Sequence, residues 1–236
     1  MRMKSVSIAL GAAVLVAAAG TASAAPIVPD FDTFGALPQA TFGGSGIPNT
    51  SVAITNVDYQ GGAITLGLSA AQRFSNPVVT DDGAGTFFAT AGADTLNGQP
   101  TYAMWNFNAY FSYTGTAPVA LELWYDFDPG AGTDFAAHGH TLLPVAPPLA
   151  ESSNNLGFAF LNLSIPPFVV PPSVGPFNPA ASGEYTFALI ARDVTGAEIG
   201  RSAIRVNAAP EPASLALFAI GVCGVGLRRF RRSREN

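Results

Sequence analysis

Residues 119–127 read VALELWYDF. Val119, Leu121, Leu123, Tyr125 and Phe127 fall on one face of an extended chain, with Glu122, Trp124 and Asp126 on the other. A period of two places successive side chains on opposite sides of a strand, so the stretch predicts a strand with one face on a core and the other turned away from it. Similar short runs lie on both sides: 51–59, 63–70, 86–90, the aromatic-dense 101–113, 156–165, 184–193 and 197–207. Gly61-Gly62 and Val194-Thr195-Gly196 supply turns between neighbouring runs. Between 128 and 155 Gly, Pro and Ala dominate, and 166–179 carries six prolines, which excludes it from a central sheet. No amphipathic helical pattern interrupts the series. The expectation is an all-β chain forming a single antiparallel β-sandwich, immunoglobulin-like or jelly-roll, flanked by an N-terminal signal helix and a short C-terminal transmembrane helix.

The last two runs, SGEYTFALIARDVTGAEIGRSAIRVN (182–207), resemble the closing hairpin of immunoglobulin-like and fibronectin-like domains. That resemblance implies a tyrosine-corner role for Tyr185; a strand tyrosine with its hydroxyl in water is the other reading.

The two ends have a different composition. Arg2 and Lys4 precede an apolar stretch from Val6 to Ala19, and Ala22-Ser23-Ala24 follows as a small-residue cleavage site. This is the pattern of a secretory signal peptide, read by the Sec machinery and cut by signal peptidase after Ala24. At the other end, Pro210-Glu211-Pro212 precedes an uncharged run, 213–227, and then Arg228, Arg229, Arg231, Arg232 and Arg234. The run is shorter than the ~20 residues of a comfortable bilayer crossing. Its one-sided arginines predict a cytoplasmic stop, with the rest of the chain outside. These three parts, in this order, resemble the PEP-CTERM sorting signal. The resemblance implies recognition and processing of the triplet by a membrane-embedded, exosortase-like enzyme in a bacterium that makes exopolysaccharide. The domain boundaries expected are 1–24 signal peptide, 25–48 extended lead-in, 49–207 β-sandwich and 208–236 sorting signal, with 228–236 its basic cytoplasmic tail.

Charge narrows the partners. Of the 11 basic residues seven lie in the two ends, leaving Arg73, Arg192, Arg201 and Arg205 against fourteen acids between Asp30 and Glu198, or 4 − 14 = −10. Nucleic acid is therefore not an expected partner, because phosphate neutralisation needs clustered cations. The one cysteine, Cys223, lies in the apolar run, so neither a disulfide nor a thiolate nucleophile is available to the exported domain.

Chemical candidates follow from spacing. Asp126, Asp128 and Asp134 with the intervening glycines offer oxygens to a hard cation, which makes Ca²⁺ the one cofactor considered. A solvated acidic strand end would read the same, and the EF-hand spacing is not met. His138 and His140, with Asp134, would supply two nitrogens and an oxygen to a transition metal, but the Gly/Ala surroundings of HGH read as an exposed mobile loop. No G-x-S-x-G stretch accompanies these histidines, so a serine hydrolase lacks support. Trp124 and Trp105 are the candidate sugar contacts, each also readable as packing. The functional expectation is an exported, non-enzymatic protein of the cell surface or exopolysaccharide matrix. The alternative is a carbohydrate-binding module, with Ca²⁺ as an optional ligand.

Overall fold

The computed structural model describes residues 25–210. The expected signal helix, the 213–227 segment and the basic tail lie outside the described residues, and with them Ala22, Ala24, Glu211, Pro212 and the five tail arginines.

In chain order the strands are β1 (Thr33–Gly35), β2 (Val52–Tyr59), β3 (Gly62–Gln72), β4 (Thr80–Asp81), β5 (Thr86–Thr90), β6 (Ala93–Asp94) and β7 (Gln99–Ala103). There follow β8 (Trp105–Tyr113), β9 (Ala120–Tyr125), β10 (Gly139–Leu143), β11 (Leu149–Asn154), β12 (Val169–Val170), β13 (Gly183–Arg192) and β14 (Glu198–Ala209). The helical content of the described residues is three short 3₁₀ turns, so the chain is all-β there, and among the described residues no helix is long and apolar enough to cross a membrane.

One sheet has the order β1-β2-β3-β8-β11, and a second has β12-β10-β9-β13-β14-β5-β4; β6 and β7 make a small ribbon. One hydrophobic cluster takes side chains from both large sheets, among them Leu66, Phe107 and Phe111 from the first and Leu123, Phe187 and Ile204 from the second. The Ser202 hydroxyl in β14 crosses the gap to donate to the Ala53 carbonyl in β2 at 2.8 Å. A single segment laces the two sheets at one edge. Asp30 exchanges backbone hydrogen bonds with Ala203 of β14, and two residues on the Asp32 amide donates to Ile54 of β2. Ile27 then packs on Ala188, Ile190 and Ala203 from outside.

Local chemistry explains the turns. Asp193 accepts at one carboxylate oxygen from the amides of Thr195 and Ala197, while Gly196 takes a φ of 85°, and this closes the β13–β14 hairpin. The hydroxyl of Tyr185, a buried residue, donates to the Ala181 carbonyl at 3.0 Å, the corner arrangement and not a water-facing phenol. Burial, reinforced by the nearby Asp126 and Asp128, pushes that phenol up to about 12.

Three expectations are corrected. The sheets are not purely antiparallel: β14 pairs parallel with β5, from Arg205↔Thr86 to Ala209↔Thr90. No hairpin links these two strands, so nothing local imposes an antiparallel direction. The 156–165 run is not a strand. Asn155 intercepts the backbone there: its amide donates to the carbonyls of Ala103 and Trp105, and its oxygen accepts from Ala103 and Gly157. The chain turns at that point into the 3₁₀ turn Ala159–Asn162. Conversely, 128–155 contains two real strands, β10 and β11, each held by pairing with a strand outside that stretch, β9 and β8 respectively, rather than by its own β propensity.

Candidate functional site

The outward face of the seven-stranded sheet holds the side chains that the β9 alternation set apart. Register places Trp124 between His140 of β10 and Ala188 of β13, and Glu122 between Leu142 and Ile190. Glu122 accepts from the Trp124 indole at 2.9 Å and from Arg192 at 2.8 Å. The Trp124 ring does face away from the core, but Phe135 and His140 lie over it with centroids 4.2 and 4.5 Å away. Phe135 arrives on the β9–β10 connection, whose 3₁₀ turn Phe135–Ala137 is capped by the Asp134 carboxylate on the Ala136 amide. That connection folds down over the sheet and covers what would otherwise be a solvent face.

Under it lies a buried polar group of three residues. His138 Nδ1 is 3.0 Å from the Asp134 carbonyl, and Nε2 is 2.7 Å from the Thr186 hydroxyl and 3.8 Å from Asp126 Oδ2. Asp126 is fully buried; one oxygen accepts from the Asp128 amide at 2.8 Å and the other has no hydrogen-bond partner. Burial raises its carboxyl above the ordinary range. His138 is therefore a core residue, not part of an exposed loop, because β10 begins at Gly139 and pins it against β13.

The Asp126, Asp128 and Asp134 constellation does not converge. Asp126 is buried beneath the β9–β10 connection and accepts from the Asp128 amide, Asp128 accepts from the Gly130 amide, and Asp134 caps its own turn. Among the described residues no three His, Cys, Asp or Glu side chains are grouped to hold a metal ion. The three are close in sequence, but one oxygen of each accepts from the amide two residues ahead, the geometry of an Asx turn. Trp105 is not at the surface. It is 2% exposed, with Tyr185 and Phe187 at 5.8 and 6.1 Å, because odd-numbered residues of β8 face the core.

Two cavities that sequence spacing did not indicate complete the surface. One, of about 410 Å³, lies beside Phe74 and is lined by Gln72, Arg73, Asn106, Ser153 and the 44–48 loop. Phe74 is 65% exposed and holds a left-handed φ of 51°, rare for an aromatic residue, with the Arg73 guanidinium 4.7 Å from its ring. Nothing in the local sequence marks that backbone conformation. The second, larger cavity opens between the two sheets.

The third feature is the end of β14. Ala208 is still paired with Gly183 and Ala89, and the Ala91 amide donates to the Ala209 carbonyl at 2.8 Å. Pro210, which has no amide hydrogen to continue the ladder, follows at once and is exposed. The sorting triplet is thus joined to a sheet strand without a linker. Residues 208–232 match the profile of the PEP-CTERM protein-sorting motif. This chain carries a PEP-CTERM sorting signal. The motif marks exported, surface-sorted cargo of the exosortase pathway, and the match begins on the last two paired residues of β14. Comparison of the chain with curated proteins found no match.

Proposed function

We propose that this protein is non-enzymatic cargo: a β-sandwich exported by its 1–24 signal through the Sec machinery and signal peptidase. The 213–227 helix then holds it once across the inner membrane, C-terminus inside, until an exosortase-like enzyme acts at Pro210-Glu211-Pro212. It is then delivered to the cell surface or the exopolysaccharide matrix. The observation that carries this reading is the PEP-CTERM match abutting the end of β14. The two sheets sharing one core support the sandwich assignment. The test is fractionation of the tagged full chain with and without Glu211→Ala. The variant is expected to accumulate unprocessed in the membrane; unchanged processing and location would overturn the proposal.

The second reading, binding to matrix polysaccharide, is favoured by the Phe74 cavity more than by either tryptophan. An exposed ring beside amide and hydroxyl side chains on strand ends is what a sugar face and its hydroxyls require. Pull-down on extracted polysaccharide, with Phe74→Ala and Trp124→Ala in parallel, separates the sites. Retention lost in Phe74→Ala alone supports this cavity, and indifference of the parent chain to glycans removes the reading.

A further inference from the structure

We infer that the cavity between the two sheets is a binding site for an uncharged, single-chain amphiphile. Its volume is about 510 Å³, within the range of roughly 300–1,000 Å³ usual for small-molecule sites. It lies where β11 ends one sheet and β10 with β12 ends the other, so its walls come from both sheets. Residues directly opposite each other in an antiparallel pair share a face. Ala150 and Ser152 stand opposite Phe111 and Ala109, and Thr141 stands opposite Leu123. Since Phe111, Ala109 and Leu123 belong to the common core, these side chains face the cavity and not the outside.

The walls are therefore hydrocarbon with a small neutral polar set: the hydroxyls of Thr141 and Ser152 and the amide of Asn154, which donates to Ser152 at 2.8 Å. Of the lining residues only Glu151 carries a charge, and it stands opposite Tyr110 on the other face. Its carboxylate is taken by the Thr41 amide at 2.7 Å, the Thr41 hydroxyl at 2.8 Å and the Phe42 amide at 3.0 Å. An ionised headgroup would lose its water inside and meet no counter-charge, whereas a hydroxyl or amide head finds partners of its own kind. The opening is equally specific. Leu143, Phe160 and Phe168 line the cavity yet remain 46, 41 and 48% exposed, a cluster of large apolar side chains turned toward water at its edge. Phe160 and Phe168 sit on the 159–170 segment, which is tied down by the Tyr125 hydroxyl on the Leu161 carbonyl at 2.7 Å and the Leu142 amide on the Phe168 carbonyl at 2.8 Å. An apolar chain entering there covers these side chains and fills space that none of the described residues occupies.

The test uses the full chain in lipid nanodiscs and a diazirine-bearing long-chain alcohol, with the matching carboxylate as a second probe. After irradiation, peptide mass spectrometry is expected to place the alcohol on 109–111, 121–123, 141–143 and 150–154. Ala150→Phe, which fills the cavity, should cut that labelling by roughly tenfold, and the ionised carboxylate should label these peptides weaker by roughly tenfold or more. Ser152→Ala, a change too small to threaten folding, should weaken the alcohol and leave a diazirine alkane unaffected. Absence of labelling, labelling confined to 213–227, labelling indifferent to both substitutions, or an equal signal from the carboxylate would overturn the inference.

Discussion

Phe107 of β8 and Phe187 of β13 stack ring on ring across the two large sheets, with centroids 4.5 Å apart and planes 24° from parallel. Both are fully buried, and Trp105 meets Phe187 edge-on at 6.1 Å. An offset stack of this kind adds about 0.5–1.5 kcal/mol to the burial of the rings themselves. Phe187→Ala should therefore lower the unfolding free energy by about 3–5 kcal/mol, read as a shift of the urea midpoint at unchanged slope. A loss below about 1 kcal/mol would mean that the two sheets are not held together by this contact.

Tyr185→Phe keeps the ring packed against Trp105 and Phe177 and removes only the hydroxyl that donates to Ala181. The expected cost is about 1 kcal/mol, the net worth of one hydrogen bond and the carbonyl it leaves behind. A calorimetric melt should show the same cooperative transition at a lower midpoint.

Asp94 is fully buried and accepts from Asn76 at 2.9 Å, Asn97 at 2.6 Å and Arg73 at 2.9 Å. Burial works against its charge, but the hydrogen bonds from Asn76, Asn97 and Arg73, with the Arg73 charge, outweigh burial and hold the carboxyl below its ordinary value. The folded state thus binds this proton less tightly than the unfolded chain. Its stabilisation is complete above the unfolded pKa of about 3.9 and is lost as pH falls through the lower folded value. Asp94→Ala is expected to cost about 3–5 kcal/mol at neutral pH, because Arg73 is left nearly buried without its partner. The deficit should shrink in acid, which denaturation curves at several pH values will show.

Asp126 has the opposite sign. Burial, the largest influence, raises its carboxyl, and the Asp128 amide and the neighbouring His138 and Thr133 offset this only in part. The folded state binds the proton more tightly than the unfolded chain. The penalty for ionising Asp126 is absent below about pH 3.9 and grows as pH rises through the folded value. Asp126→Asn should gain on the parent as pH rises above the unfolded value of about 3.9, its advantage levelling off once the folded carboxyl is ionised. A stability difference independent of pH would show that Asp126 is compensated by its surroundings.

Much was legible in the residues alone because some information is strictly local. The alternation in 119–127 assigned Glu122 and Trp124 to one face of β9, and the pairing with β10 and β13 keeps them there. The 194–196 turn and the β13–β14 hairpin were readable for the same reason: Asp193 and Gly196 close the turn through contacts within four residues. The C-terminal address was readable without any fold, since a triplet, an apolar run and an arginine cluster are defined by order along the chain. What covers each face was not local. Trp105 and Trp124 both sit in strand runs with aromatic neighbours, yet one is sealed in the core and the other lies under a loop whose Phe135 returns from eleven residues away. Asp126, Asp128 and Asp134 are close in sequence but turn apart, each bound by a nearby amide. The cavity between the sheets belongs to no segment: Ala150, Thr141 and Leu189 meet there only because two sheets pair their strands out of chain order. Strand faces and the sorting address are properties of neighbours along the chain, whereas burial, convergence and empty space depend on which distant strands pack together.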